Sequence, residues 1–216
     1  MAEKSYEPEQ VNLFNSPARI IIAGYSNSGK TEIAKKIILQ NHNKFDTILY
    51  CGTSHSPLND EDELKQKLIV SESILNPFEY KSFCQNGILL VLDDCFIEAV
   101  ETKYVVDAFS KGRHENISII FITQNLFYSG KYSRSIALNC SHYILMRNRD
   151  IAQIENLARQ IFGKSSSKDV VKIYQKALEY NQYGYLLIDL APQTPTDLQF
   201  RTNIVGETPY QVIFTF

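Results

Sequence analysis

The chain has 216 residues, a formal net charge of −2 and four cysteines, enough length to bury a full core without disulfide or metal staples. The near-neutral balance excludes nucleic-acid binding by bulk charge and leaves only a local basic patch or the lining of a ring. No apolar run is long enough to span a bilayer, no signal peptide is evident, and Cys51, Cys84, Cys95 and Cys140 contain no C-x-x-C pair.

In chain order, residues 1–16 are polar and read as a loosely held arm, with Pro17 ahead of the first strand. The expected domain then fills residues 17–216. Strands are predicted at about 19–24, 47–51, 87–93, 117–123, 142–146 and 185–190, and helices at 30–42, 97–111, 149–162 and 168–181. The third and fourth strands, Gly-Ile-Leu-Leu-Val-Leu-Asp and Ile-Ser-Ile-Ile-Phe-Ile-Thr, are apolar on both faces, as in a parallel sheet covered by helices on each side. Residues 59–63 form a solvated acidic loop, 163–167 a hinge-like turn, and a Pro/Thr-rich tail closes the chain.

Between the first strand and first helix lie Gly24, Tyr25, Ser26, Asn27, Ser28, Gly29, Lys30 and Thr31, a complete match to the phosphate-loop pattern G-x-x-x-x-G-K-[ST]. A strand delivers the chain to a tight loop, its glycines let N–H groups turn inward, and the next helix aims its positive end at an anion. Lys30 is placed to reach the β- and γ-phosphates of a nucleoside triphosphate, and Thr31 to complete the shell of Mg²⁺.

The strand at 87–93 ends in Asp93 and is followed by Asp94. Two acids there also suit an ordinary strand-to-helix turn with Asp as the cap. Opposite a phosphate loop they read as a metal-holding carboxylate, Asp93, and a carboxylate that polarises the attacking water, Asp94. The next strand ends in Thr123-Gln124-Asn125, where Gln124 or Thr123 is placed to sense the γ-phosphate. This layout resembles the additional-strand ATPases, in which a new strand lies in space between the phosphate-loop strand and the acidic strand. Arg147-Asn-Arg-Asp150 is not a GTPase base-reading motif, and the region of Lys164–Lys168 is thin for a nucleoside-kinase lid.

Several blocks together resemble the viral DNA-packaging ATPases of the FtsK–HerA group, of the Maverick/Polinton and poxvirus-like type. They are the strand and loop ending at Thr31, Leu-Val-Leu-Asp-Asp94, Ser110-Lys-Gly-Arg-His114 leading into Ser118-Ile-Ile-Phe-Ile-Thr-Gln-Asn125, Leu186-Leu-Ile-Asp-Leu190, and Arg201-Thr-Asn-Ile204. The phosphate loop is shared by many functions, so the later blocks carry most of the likeness. One departure stands out: many members of the wider group have Glu after the first acid, where this chain has Asp94.

The resemblance implies a three-layer α/β/α fold and an ATP- and Mg²⁺-dependent enzyme that works as a homo-oligomeric ring. Such a ring pulls double-stranded DNA into a preformed capsid at a vertex or portal protein, in the nucleus or a cytoplasmic viral factory of the host cell, or on the virion. It also implies an arginine acting on a neighbour's phosphate, for which Arg113 is the first candidate and Arg147, Arg149 and Arg201 compete. Lys131 and Arg134, in the segment 128–134, are candidates to track DNA phosphates. An ATP-dependent switch or partition-type ATPase acting through a protein partner is the alternative, and a small-molecule kinase a third reading. His42, His55, His114 and His142 share no ligand spacing and read as structural.

Overall fold

The computed structural model describes residues 2–6, 13–127, 130–180, 182–205 and 211–215. The described strands form one ten-stranded sheet. They are β1 (Ala2–Tyr6), β2 (Arg19–Ala23), β3 (Thr47–Cys51), β4 (Leu68–Ser71), β5 (Ile88–Asp93), β6 (Ile117–Thr123), β7 (His142–Met146), β8 (Tyr185–Asp189), β9 (Phe200–Thr202) and β10 (Gln211–Thr215). Their order across the sheet is β1-β10-β9-β8-β7-β2-β6-β5-β3-β4.

From β4 to β7 every neighbouring pair is parallel. From β7 to β1 every pair is antiparallel. The strand β6 sits between β2 and β5, with Ile22 opposite Ile122 and Asp93 also opposite Ile122. The inserted strand expected from the sequence is therefore present, and β2 is central.

Alternate residues of each inner strand enter two different cores. Ile20, Ile22, Leu89 and Val91 pack toward α1 (Lys30–Asn41), through Ile33, Ala34, Ile37 and Ile38. Ile21, Leu90, Leu92 and Phe121 pack on the other face. There they meet residues of α2 (Phe96–Glu101), α3 (Lys103–Lys111), α4 (Ser133–Asn139), α5 (Ile151–Phe162) and α6 (Ser167–Ala177). Period-two burial on both faces is what makes these strands read as continuous apolar runs.

Four expectations need correction. The N-terminal segment contributes a strand: Ala2–Tyr6 pairs with β10, and Leu13 and Phe14 are buried, while residues 7–12 lie outside the described residues. Backbone bonds to an edge hold this polar stretch, which offers no apolar signal. The helix expected at 97–111 is two, α2 and α3, because Thr102 turns extended (φ −93°, ψ 120°) while its hydroxyl donates to the Glu98 carbonyl at 2.7 Å. The helix expected from 149 starts at Ile151, because Asp150 caps it, accepting the Ala152 N–H at 3.0 Å. The tail holds β9 and β10, strands too short or too mixed to stand out.

Candidate functional site

Parallel pairing brings the C-terminal ends of β2, β5 and β6 to one edge of the sheet, the edge where open α/β folds bind ligands. The phosphate loop leaves β2 there. Its first N–H, on Gly24, donates to the Thr123 carbonyl at the end of β6 (3.2 Å), and the Tyr25 N–H donates to the Arg147 carbonyl beyond β7 (3.1 Å). The loop is thus tied to both strands flanking β2. Asn27 and Gly29 take left-handed φ values of 62° and 94°. At Gly24 the demand is different: a Cβ would stand 2.7 Å from both Met146 Cβ and Ser28 Oγ.

The loop closes onto α1, whose first-turn N–H groups have no partner within the helix. Ser28 Oγ is buried and has no hydrogen-bond partner among the described residues, a donor that a phosphate oxygen would satisfy. Lys30 Nζ folds back to donate to the Tyr25 carbonyl at 2.9 Å. Burial lowers the Lys30 pKa from its ordinary value, and the charges of Asp94 and Asp93 oppose that shift. Those two carboxylates are therefore near enough to act on the charge of the lysine.

Asp93 ends β5 half-buried. Burial pushes its carboxyl up, and the Asp94 charge adds to this, while the Tyr50 hydrogen bond and Lys30 oppose it. The Tyr50 hydroxyl donates to Asp93 Oδ2 at 2.6 Å. Tyr50 is fully buried on β3, one strand beyond β5. Burial, and then the Asp93 charge, push the Tyr50 phenol well above its usual range, so it remains a donor. Sequence reading missed this residue. Its one signal was a tyrosine in an otherwise aliphatic run.

Asp94 is exposed and takes φ 55°, a conformation that Asp tolerates better than most residues. Gln124 Nε2, just past β6, donates to Asp94 Oδ1 at 3.3 Å. Three strands thus bring Lys30, Asp93, Asp94 and Gln124 together. Thr123, the other sensor candidate, is buried, and its hydroxyl donates to the Asn125 carbonyl.

The donor set fits Mg²⁺. Thr31 heads α1 with a hydroxyl, and Asp93, with Oδ2 held by Tyr50, keeps Oδ1 for a ligand. Hard oxygens, with water and substrate phosphates completing the shell, are what this ion takes. The Asp94 charge disfavours ionisation of its neighbour Asp93, and a cation beside the pair would offset that repulsion.

The arginines separate cleanly. Arg113 is exposed and precedes β6, with its Nε donating to His114 Nε2 at 3.2 Å. It therefore lies at the opposite edge of the sheet, about 20 Å from its own cradle by the length of β6. Arg149 stands over the Tyr25 ring at 5.3 Å, and Arg147 donates to the Leu178 carbonyl, both at the rim of the cradle in their own chain. Arg201 is buried and ion-paired with Asp189, which removes it as a candidate to reach a neighbour.

Asp189 also takes His142 Nε2 (3.2 Å) and the Ala191 N–H (3.0 Å). Burial alone would raise its carboxyl, but these partners and Arg201 together hold it below the usual range. Lys131, between β6 and α4, is exposed and over the Tyr132 ring at 5.0 Å, with its backbone N–H donating to Glu101 Oε1 at 2.9 Å; Arg134 is exposed early in α4. Tyr128 and Ser129 of that segment lie outside the described residues.

A family model described as Poxvirus A32 protein matches residues 5–189. The chain is similar to the DNA packaging protein OPG160 of Vaccinia virus (strain Copenhagen), 24% identical over 208 residues, covering 87% of this chain and 74% of that protein. To the Monkeypox virus protein of the same name it is 24% identical, covering 87% and 67%. In three dimensions it is similar to the genome packaging NTPase B204 from Sulfolobus turreted icosahedral virus 2 in complex with sulfate. The TM-score is 0.60 at 17% identity, over 84% of this chain and 95% of that one. The same NTPase in complex with ATP-gammaS gives 0.59 at 15% identity, over 84% and 96%. The architecture is the three-layer P-loop fold with an inserted strand.

Proposed function

This chain belongs to the Poxvirus A32 protein family, and on that footing we propose that it is an ATP hydrolase that drives double-stranded DNA into a preformed viral capsid. One observation carries the reading: the phosphate loop of β2, the acidic pair of β5 and Gln124 of β6 meet at a single sheet edge, with β6 inserted between the other two. The names of the relatives support it, since they are DNA packaging proteins and a genome packaging NTPase. That NTPase also takes ATP-gammaS.

In this reading residues 24–31 wrap the phosphates with backbone N–H groups, and Lys30 leaves the Tyr25 carbonyl to counter the γ-phosphate. Thr31 and Asp93 would hold Mg²⁺, which when bound would neutralise phosphate charge; Tyr50 fixes the rotamer of Asp93. Water attacks the γ-phosphorus as the bond to the bridging oxygen breaks, and ADP leaves. Asp94 takes the water's proton, and Gln124 holds Asp94 and the water in line. Asp reaches less far than the Glu of many relatives in the wider group; here it stands in a left-handed turn and its Oδ1 accepts the Gln124 amide.

Arg113 serves a neighbour. Its place at the far edge requires head-to-tail packing, which closes into a homo-oligomeric ring when the rotation allows. Lys131 and Arg134 offer phosphate contacts for the DNA. The capsid vertex or portal is the remaining partner, and a viral factory in the host cell the place of work. Among the described residues no helix is long and apolar enough to cross a membrane.

The test is phosphate release from ATP by the whole chain, with and without double-stranded DNA. Stimulation by DNA is expected. A rate indifferent to DNA contradicts the reading and favours a switch, and phosphate appearing on an acceptor instead of free in solution contradicts it in favour of a kinase.

A further inference from the structure

The edge of the sheet opposite the cradle carries a surface that hydrolysis within one chain leaves unused. Phe83 ends the short helical stretch Pro77–Phe83 ahead of β5, and Arg113 lies ahead of β6, so both stand where these parallel strands begin. The two segments are tied together: Lys81 pairs with Glu115, and the Asn116 side-chain amide donates to the Asn86 carbonyl. Phe83 is 82% exposed, more than any other large apolar side chain among the described residues. The lysines nearby are paired, Lys81 with Glu115 and Lys111 with Asp107. Arg113 donates to His114 and has no carboxylate partner among the described residues, which leaves it the open cation of this edge.

The cradle edge carries a counterpart. Ile97, in the first turn of α2 and close behind Asp94 in the chain, is 76% exposed. Asp94 and Glu98, which bracket it in sequence, are exposed as well, and neither forms an ion pair among the described residues. A lone apolar side chain at a surface carries no message by itself. These two differ in what they accompany. One edge sets an apolar residue beside an open cation and the other sets one beside two open acids, so opposite edges of the same chain are complementary in charge.

We infer that Phe83 of one copy of this chain packs on Ile97 of the next, an apolar contact that sets Arg113 beside the neighbour's Asp94. The inference rests on the reading that Arg113 serves a neighbour, and adds what that reading lacks, the two surfaces that meet. On one edge Phe83 and Arg113 share a surface held by the Lys81–Glu115 pair. On the other, Ile97 follows Asp94 by about one helical turn. Seating the apolar pair therefore brings the guanidinium and the carboxylate together. An aromatic anchor ringed by polar groups is a recurrent arrangement at subunit boundaries, and contact between opposite edges is head-to-tail, as a ring requires. Phe83 and Ile97 are positioning residues, acting on turnover through Arg113.

The experiment follows assembly of the whole chain by sedimentation velocity over a range of concentrations in Mg²⁺ and ATP-gammaS, with binding of that nucleotide and hydrolysis of ATP measured alongside. Wild type is expected to assemble. Phe83→Glu sets a carboxylate against the acids of the cradle edge, and Ile97→Lys sets an ammonium against Arg113. Each is expected to need about tenfold or more higher concentration to assemble, the scale of one lost apolar burial. Each should also lose hydrolysis where wild type is assembled, with nucleotide binding unchanged. The double variant pairs the two new charges and is expected to recover both assembly and hydrolysis. Wild-type assembly by Phe83→Glu overturns the contact, and so does loss in both single variants without recovery in the double one. Leu138→Glu probes the rival surface, an exposed leucine on α4 one turn from Arg134, and is expected to assemble as wild type. Loss there but not in Phe83→Glu overturns the assignment in favour of α4. Those outcomes leave the ring standing, whereas a wild type that never assembles overturns the ring itself.

Discussion

The two halves of the sheet use the same kinds of charged residue in opposite ways. On the parallel half, Lys30, Asp94 and Gln124 stand at the edge, where Asp94 and Gln124 are exposed and touch each other only loosely at 3.3 Å. On the antiparallel half, Asp189, Arg201 and His142 are buried, each at most 4% exposed, and bind one another directly. Charges at the edge are left incompletely matched and can act on a substrate. Charges in the interior are paired with one another through Asp189 and link β7, β8 and β9. The difference follows from strand direction, since parallel strands send their C-terminal ends to one common edge and antiparallel pairs divide theirs.

The largest expected effect tests the edge across a subunit boundary. Arg113→Ala should lower hydrolysis by roughly 10³–10⁵ with nucleotide binding nearly intact, because a guanidinium aimed at transition-state charge acts on turnover. Mixed with Lys30→Ala subunits, it should recover part of the activity. Absence of rescue in assemblies shown to contain both proteins moves the role to Arg147 or Arg149, already at the rim. Next, Asp94→Asn should retain ATP binding and lose about 10²–10⁴ in rate, as an amide cannot accept the proton; single-turnover hydrolysis checks it.

The interior half should respond in stability instead. Arg201→Leu leaves Asp189 buried and short of a partner, and should cost about 3–5 kcal/mol in denaturant unfolding. Its pH dependence has a definite sign. Asp189 is held below the unfolded carboxylate value in the wild type, so its stabilisation is present above about pH 4 and is lost as pH falls toward the lower folded value. Losing Arg201 lets burial raise that value, so the gap between the two proteins should narrow as pH falls. A gap that is constant or widens in acid would mean that Asp189 is not the group involved. Smallest of all, Tyr50→Phe should cost about 1 kcal/mol in stability and loosen Asp93, read as weaker Mn²⁺ binding in the presence of nucleotide by electron paramagnetic resonance.

Sequence alone revealed the parallel half because its strands are apolar on both faces and its loop has a fixed spacing of glycine, lysine and threonine. The inserted position of β6 was legible too, from the polar tip Thr123-Gln124-Asn125 following an acidic strand. The antiparallel half was mostly hidden. Ala2–Tyr6 and Phe200–Thr202 are short, and their place depends on partners distant in the chain. Arg201 looked like a free cation because nothing local announces that Asp189, on the neighbouring strand, neutralises it. Tyr50 was silent for the same reason: only the pairing of β3 with β5 brings its hydroxyl to Asp93. Short α4 and β4 also escaped, carrying too few apolar residues for a period to emerge.

The central claim is that ATP turnover at the parallel edge moves double-stranded DNA. It is tested most directly by displacement of a triplex-forming strand from duplex DNA by the assembled protein. The account predicts ATP-dependent displacement by wild type and none by Asp94→Asn, although the variant still binds ATP. Brisk, DNA-stimulated hydrolysis by wild type with the third strand left in place would contradict it.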